Sequence, residues 1–296
     1  MQIPYISKLG NLSSIYGFYD GNFLYFEKFQ LTSRIAVGLN YSPKIYNPND
    51  PMPVDVFSTH MNIFAELGAG IAVRVRKRVF VESGFRFLHI SNGNIREPQR
   101  GFNDLALNLS IRSSLNHMAP KPLKKSLDEC LHRHEIIGFL GFSTRQIDFR
   151  KTTLDNHPET YEMNYIMTNL LVGYQFEATR RLKIGGGIDL FYDGTLGQVE
   201  AAIKGKPSHN AVPFKHKTGL SIFIGGELAI NRLSIVGGLS QIILRQPFES
   251  SSPSFEQRAG LRYFINENTF LGMNVRAYNF RSAKAMELNI GKRFGL

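Results

Sequence analysis

The chain has 296 residues, among them 27 glycines, 23 phenylalanines and 12 tyrosines, a composition that favours a sheet protein over a helical one. The single cysteine, Cys130, excludes an internal disulfide, and no apolar run of about 18 residues is present, so we predict no transmembrane helix. The net charge of +11 indicates an anionic partner. Lysine and arginine stand at turns and at alternate strand positions rather than in a basic helix, so phosphorylated lipid fits that partner better than nucleic acid.

The opening of the chain, residues 1–28, is aromatic and has no clear period, and we expect an irregular or edge segment there. It lacks a basic stretch followed by an apolar one, so the sequence shows no secretory signal. From Gln30 onward, apolar and polar residues alternate with the period of two that is typical of β-strands. The clearest example is Phe57–Val75, which is much longer than the usual strand of about five or six residues.

Alternating segments of this kind predict about twelve strands. They lie near residues 30–40, 57–75, 79–91, 102–114, 133–149, 160–178, 180–194, 217–230, 231–245, 255–265, 268–280 and 284–296. The connections are tight near 76–78, 179–181, 231–232 and 266–268, and long near 40–54, 94–101, 153–160, 195–216 and 248–254. Short turns at one end and long loops at the other are typical of a transmembrane β-barrel.

We therefore predict an all-β fold: one antiparallel transmembrane β-barrel domain over residues 1–296, with short periplasmic turns and longer extracellular loops. Residues 115–132 form a long connection where a short one is expected, and we predict a periplasmic insert there with a short amphipathic helix. A soluble β-sandwich or lipocalin-like barrel would show similar alternation. Charges on the inner faces, such as Glu66, Asp189 and Glu227, argue against it, because a packed interior holds few charges unless they are paired.

A cluster of polar residues stands where one predicted strand ends and the next begins. His89 and Ser91 are two residues apart, and so on one face of a strand, about 7 Å apart at about 3.3 Å per residue. Asn103 opens the neighbouring strand, about 5 Å across the sheet. A serine, an imidazole within reach of it and an amide on the other side of the imidazole are the residue types of a nucleophile, a base and an orienting group.

The parity of the flanking residues predicts that this cluster faces lipid. Phe85 and Phe87 belong to the apolar side of their strand, and His89 and Ser91 share that parity. Asn103 shares the parity of the apolar residues that follow it. The cluster then lies at the long-loop end, which is extracellular if the last strand ends in the periplasm. In the alternative interpretation, the cluster has no catalytic role. The apolar belt then ends at Phe87, and the polar residues begin a hairpin at the level of the lipid headgroups.

The sequence HISN at residues 89–92, followed by a loop with Pro98 and Gly101 and a polar residue two places on, resembles the motif of the outer-membrane lipid A 3-O-deacylases, within the wider acyloxyacyl hydrolase group. The resemblance implies that His89 is the base and Ser91 the nucleophile. A weaker resemblance extends over residues 185–193, 260–264 and 284–296. Relatives of the longer branch carry a signal peptide and further sequence ahead of residue 1, so the resemblance implies that this chain is truncated at its N-terminus.

The same resemblance implies an oxyanion hole and a third catalytic group. Asn92 would help to form the hole, and we expect the backbone N–H groups near Gly93 and Asn94 to complete it. In the best-known branch the third group is a glutamate two residues after the loop glycine, where this chain has Asn103. Because asparagine can orient a histidine but cannot stabilise an imidazolium with a full charge, Glu97 stays open as an alternative.

The expected function is that of an outer-membrane serine esterase that removes an ester-linked acyl chain from lipid A of lipopolysaccharide. Its partners would be lipid A and other outer-membrane lipids, with Arg96 and Arg100 contacting the phosphates. We expect no nucleic-acid partner, no cofactor and no metal. HRHE at residues 132–135 lacks the HExxH spacing of a metal site, and the glycine run 185–187 lies inside a strand pattern, where it cannot form a phosphate-binding loop. A non-catalytic outer-membrane barrel, porin-like or structural, is the alternative, followed by a soluble lipid-binding β-barrel.

Overall fold

The computed structural model describes residues 9–26, 28–47, 49–50, 55–76, 79–98, 100–113, 134–149, 162–179, 181–204, 208–230, 232–245, 254–278 and 282–296. The described ranges contain thirteen β-strands: β1 (Ser13–Tyr25), β2 (Phe29–Tyr41), β3 (Met61–Arg76), β4 (Val79–Ser91), β5 (Phe102–Ser113), β6 (His134–Asp148), β7 (Glu162–Glu177), β8 (Leu182–Asp193), β9 (Thr218–Ile230), β10 (Leu233–Arg245), β11 (Phe255–Phe264), β12 (Thr269–Tyr278) and β13 (Ser282–Gly295). A short helix, α1 (Gln198–Ile203), lies between β8 and β9. Over the same ranges, no helix is long and apolar enough to cross a membrane.

The strands form two sheets. β1 to β5 make an open five-stranded sheet in sequence order, and β6 to β13 make a closed eight-stranded barrel in which β13 pairs with β6. The chain divides into two compact units in the same way: one holds residues 1–92 and 98–126, and the other holds residues 93–97 and 127–296. The short segment 93–97 therefore groups with the barrel, although it directly follows β4.

The five-stranded sheet has one apolar and one polar side, as the alternation of its strands predicts. On the apolar side of β5, the side chains are 68–76% exposed: Leu105, Leu107, Leu109 and Ile111. The polar side carries paired charges, with Arg34 Nε 2.9 Å from Glu66 Oε1. An exposed apolar surface of this kind is typical of a sheet that faces lipid or another apolar surface.

Charged side chains in ion pairs fill the interior of the barrel. Glu256 lies 2.6 Å from Arg276 and 2.7 Å from Lys284, and all three side chains are buried. Further pairs of the same kind are Asp189–Arg258, Glu227–Arg262 and Glu135–Lys183. An eight-stranded barrel is just wide enough for side chains to fill it, so the described interior is a packed core.

The outer surface of the barrel is apolar. Its side chains are 48–63% exposed at Leu140, Ile166, Ile188, Leu190, Ile222, Ile224, Leu288 and Ile290. Because the interior charges are paired, they do not by themselves distinguish a membrane barrel from a soluble one. The apolar outer surface is the feature that favours the membrane barrel.

The all-β fold with a barrel is confirmed, but a barrel of about twelve strands is not: the closed barrel has eight strands, and the described ranges hold thirteen strands in two sheets. Each predicted segment contains a strand, and the additional one, β1, lies in the opening that we expected to be irregular. Its Asp20-Gly21-Asn22 run favours turns and interrupts the alternation. The alternation of apolar and polar residues is a property of each single strand. The number of strands at which a barrel closes depends on which distant strands pair, so the alternation could not predict it.

Three expectations lie outside the described residues. They concern the insert at 115–132, the lone Cys130, and His132 and Arg133 of the HRHE segment. The tight connection at 265–268 has the expected length, and so does the long one between β8 and β9, of which residues 205–207 lie outside the described residues.

Candidate active site

The end of β4 and the beginning of β5 bring three polar side chains together. His89 and Asn103 are partners in the antiparallel register of the two strands. His89 Nδ1 lies 2.6 Å from Asn103 Oδ1, and His89 Nε2 lies 2.9 Å from Ser91 Oγ. The serine two residues along the strand and the asparagine directly across the sheet therefore both contact the same imidazole.

These partners determine where the His89 ring carries its proton. An amide oxygen can only accept, so Nδ1 donates a hydrogen bond to Asn103 Oδ1. The lone pair of the neutral ring is then on Nε2, which accepts the hydrogen bond that Ser91 Oγ donates. The arrangement can therefore take a proton from the serine hydroxyl, which is the step that activates a serine nucleophile.

The apolar side of the five-stranded sheet carries this group. Phe85 and Phe87, on the same side of β4, are 62% and 44% exposed. His89 and Ser91 follow them at the same two-residue spacing and are partly exposed. The pair therefore lies on the side of the sheet that an apolar substrate would contact.

Gly101 lies against the serine–histidine pair. Its φ is +69°, a backbone conformation that residues with a side chain rarely adopt. A Cβ atom on Gly101 would lie 3.3 Å from Ser91 Cβ and 3.4 Å from His89 Cε1. Glycine therefore lets the loop approach the pair without displacing it. The motif in the sequence included Gly101, but it did not predict that Gly101 lies against Ser91 and His89.

Asn92, the first predicted oxyanion residue, is buried and hydrogen-bonded. Its Nδ2 donates to Ser58 Oγ over 2.9 Å, and Ser58 is itself buried in the connection between β2 and β3. The bond fixes the residue after Ser91 to a second part of the same unit. Ser58 was not recognised as part of the site from the sequence, and the oxyanion role of Asn92 stays a prediction.

Gly93 and Asn94, the other predicted oxyanion residues, contact β13 of the barrel. Their φ angles are +64° and +69°, so the chain turns sharply after β4. Gly93 O accepts a hydrogen bond from the Met286 backbone N–H over 3.2 Å. Asn94 Nδ2 donates to Ala283 O over 3.3 Å. β13 therefore holds the turn that carries these two residues.

The two candidates for the third group have different partners. Asn103 Oδ1 accepts from His89, as described above. Glu97 Oε2 accepts a hydrogen bond from the Asp148 backbone N–H over 3.3 Å. The contact with the imidazole therefore favours Asn103 as the orienting group.

The two predicted phosphate-binding arginines lie at the surface. Arg96 is exposed, and Arg100 is exposed with Nε 2.8 Å from Asp55 Oδ2. An exposed ion pair contributes little stability, so Arg100 can exchange this partner for another anion. In the part of the chain that the structure describes, no group of three or more His, Cys, Asp or Glu side chains could hold a metal ion.

Fold and site together define a class: an antiparallel β-barrel protein with an apolar outer surface and a serine–histidine pair of the kind found in serine hydrolases. Residues 2–112 match the family of lipid A 3-O-deacylases (PagL), and residues 132–296 match the acyloxyacyl hydrolase C-terminal domain. The chain belongs to this family of outer-membrane lipid A deacylases. The gap between the two matches falls between β5 and β6, where the two sheets divide.

Solved structures give weak similarities. The CymD monoaromatic hydrocarbon channel is 9% identical over 96% of this chain and 86% of its own, with a TM-score of 0.24. The Ralstonia pickettii toluene transporter TbuX is 10% identical over 92% and 78%, with a TM-score of 0.23. The Pseudomonas putida toluene transporter TodX is 8% identical over 96% and 69%, with a TM-score of 0.21. Similarities of this size carry no weight for fold or function, and no curated protein matches the sequence.

Proposed function

We propose that this chain hydrolyses an ester-linked acyl chain of lipid A, with Ser91 as nucleophile, His89 as general base and Asn103 as the group that orients His89. The observation that carries the proposal is the hydrogen-bond chain from Ser91 Oγ through the imidazole to Asn103 Oδ1, with contacts of 2.9 and 2.6 Å. Membership of the lipid A deacylase family supports lipid A as the substrate and the bacterial outer membrane as the location.

In the proposed reaction, His89 Nε2 takes the hydroxyl proton while Ser91 Oγ attacks the ester carbonyl carbon. The tetrahedral intermediate collapses with cleavage of the ester C–O bond, and the imidazolium gives its proton to the departing lipid A hydroxyl. A water molecule deprotonated by His89 then attacks the acyl-serine, which releases the fatty acid and restores Ser91. Asn92 and the backbone N–H groups of Gly93 and Asn94 are the proposed donors to the oxyanion.

The outward position of the pair suits a substrate that remains in the membrane. An acyl chain lying along the exposed Phe85 and Phe87 would reach Ser91 without leaving an apolar environment. We include Arg96 and Arg100 as the partners of the lipid A phosphates, because guanidinium groups bind phosphate through paired hydrogen bonds. The ion pairs that fill the described barrel argue against the porin-like alternative.

The test is hydrolysis of purified lipid A by the folded protein in detergent, followed as release of free fatty acid. Ser91→Ala and His89→Ala are expected to abolish release, because each removes one partner of the proton transfer. Ser83→Ala is the matched control, since Ser83 is an exposed serine on the same side of β4. Full hydrolysis by the Ser91→Ala protein would refute the proposed nucleophile.

A further inference from the structure

Residues 55–58, in the connection between β2 and β3, form a short segment beside the candidate active site. At one end, this 55–58 segment bonds to the loop that leads into β5. The Arg100 backbone N–H donates to Asp55 O over 3.3 Å, and the next N–H, that of Gly101, donates to Val56 O over 3.2 Å. Because Gly101 lies against the serine–histidine pair, the segment holds the loop at the point where it approaches the pair.

The other end of the 55–58 segment holds Asn92. Ser58 Oγ accepts the hydrogen bond that Asn92 Nδ2 donates over 2.9 Å, and the two residues are 2% and 3% exposed. Burying an amide costs free energy unless it is hydrogen-bonded. The Ser58 hydroxyl therefore contributes to fixing the orientation of the Asn92 side chain.

The middle of the 55–58 segment is anchored in an apolar core. Phe57 is 1% exposed and belongs to a buried cluster. The other buried members of this cluster are Leu9, Ala36, Phe64 and Ile90. Ile90 stands between His89 and Ser91 on β4, so its side chain points to the opposite side of the sheet. The segment and the pair thus share one core, and all of these residues lie in the compact unit that holds residues 1–92 and 98–126.

We propose that the 55–58 segment is a brace that positions two parts of the active site at once. It positions Gly101 through the Val56 carbonyl and the Asn92 side chain through Ser58, which is therefore a positioning residue. The inference rests on the proposed function, in which Asn92 donates to the oxyanion. Because the oxyanion forms only in the transition state, displacement of Asn92 lowers kcat and kcat/KM together and leaves KM unchanged.

Ser58→Ala tests the brace, with Ser42→Ala as its matched control. Ser42 lies in the same connection, is also buried, and its Oγ accepts a hydrogen bond from Asn62 Nδ2 over 3.2 Å. We expect kcat of Ser58→Ala to fall about 10- to 100-fold with KM unchanged, and Ser42→Ala to keep the parental kcat. The kcat is taken per folded molecule, counted by heat-modifiable gel mobility. Equal kcat values for the two variants would overturn the brace.

Ser58→Cys repeats the comparison without leaving a cavity, beside Ser42→Cys. A thiol is only a weak hydrogen-bond acceptor, so the brace again predicts a lower kcat for the Ser58 variant and the parental kcat for the Ser42 variant. This pair decides the question if the alanine variant does not fold. A Ser58→Cys protein with the parental kcat would contradict the role of the hydroxyl.

A double-mutant cycle shows whether Ser58 acts through Asn92. Once Asn92→Ala has removed the amide, adding Ser58→Ala is expected to change kcat by no more than about twofold. A further fall as large as that in the parental background would overturn the brace. Ser91→Ala in the same assay identifies which proposal fails. If it retains hydrolysis, the proposed function fails and the brace with it, whereas an inactive Ser91→Ala beside equal Ser58→Ala and Ser42→Ala overturns the brace alone.

Discussion

At the scale of single residues, the uncharged Asn103 distinguishes this site from one with a carboxylate. Its Oδ1 orients the imidazole at 2.6 Å and selects the tautomer in which Nε2 is basic. In the proposed reaction it would add no negative charge beside the imidazolium formed when His89 deprotonates Ser91, so orientation of the imidazole and stabilisation of its charge can be tested separately.

We therefore expect opposite results from two substitutions of Asn103. Asn103→Asp keeps an acceptor for Nδ1–H and adds a charge beside the imidazolium, so kcat is expected to equal or exceed that of the parent. Asn103→Leu removes the acceptor and is expected to lower kcat by about 100-fold, within the range for general acid–base catalysis. Lipid A hydrolysis per folded molecule measures both, and a leucine variant with the parental kcat would contradict the orienting role.

A second prediction concerns Gly101. Gly101→Ala forces a side chain into a left-handed conformation at a cost of about 1–2 kcal/mol and places Cβ within 3.4 Å of Ser91 Cβ and His89 Cε1. Gly10→Ala is the control, because Gly10 has a similar φ of +72° but its nearest neighbour is Pro43. We expect similar losses of stability in denaturant and a loss of activity per folded molecule in Gly101→Ala alone. Equal activities would show that the Gly101 contact is irrelevant to catalysis.

The contacts of Ser91, His89 and Asn103 could be predicted because they depend on local strand geometry: two residues along one strand and one position across to the next. The partner of Glu97 could not be predicted in this way. Gln146 lies 49 residues further along the chain, on β6, and no periodicity in the sequence specifies that contact.

At the scale of strands, buried charges determine how the barrel is packed. Glu256 pairs with both Arg276 and Lys284, and each cation also has a more distant carboxylate, Glu287 at 3.5 Å and Asp193 at 3.1 Å. Removal of one member of such a buried network leaves charge uncompensated. The alternation of β11, β12 and β13 predicted that polar residues face inward. It could not predict which charges pair, because that depends on the register between strands.

Glu256→Leu is accordingly expected to destabilise the barrel by about 3–5 kcal/mol, since it removes the nearer carboxylate of two buried cations and leaves the network with excess positive charge. Glu200→Gln, which removes the partly exposed partner of Lys204 on α1, is expected to cost at most about 1 kcal/mol. Urea titration of the folded fraction in detergent compares the two. Equal shifts of the urea midpoint would contradict the structural role of the buried pairs.

At the scale of the whole molecule, the apolar outer surface of the barrel and the family of the chain lead to the same environment, the outer membrane. Ile224 stands in the middle of β9 and is 63% exposed, whereas Leu182 begins β8 at the end with tight turns. Depth in the bilayer should therefore differ between these two positions.

Arginine at these positions tests that difference. Ile224→Arg is expected to cost about 2–4 kcal/mol in folding into lipid vesicles, the range for a cation at the bilayer midplane, and Leu182→Arg about 0–1 kcal/mol, the range near the interface. Folding yield against denaturant in vesicles gives both values. A larger cost for Leu182→Arg would place the bilayer elsewhere on the barrel.

The most direct test of the central claim is the mass of lipid A from a Gram-negative host that expresses the chain with a signal peptide, beside Ser91→Ala and His89→Ala versions. The account predicts the loss of one hydroxyacyl mass with the parental chain and unchanged lipid A with either variant. Unchanged lipid A with the parental chain, despite verified insertion into the outer membrane, would contradict the proposed deacylase. The same loss with Ser91→Ala would contradict the proposed nucleophile.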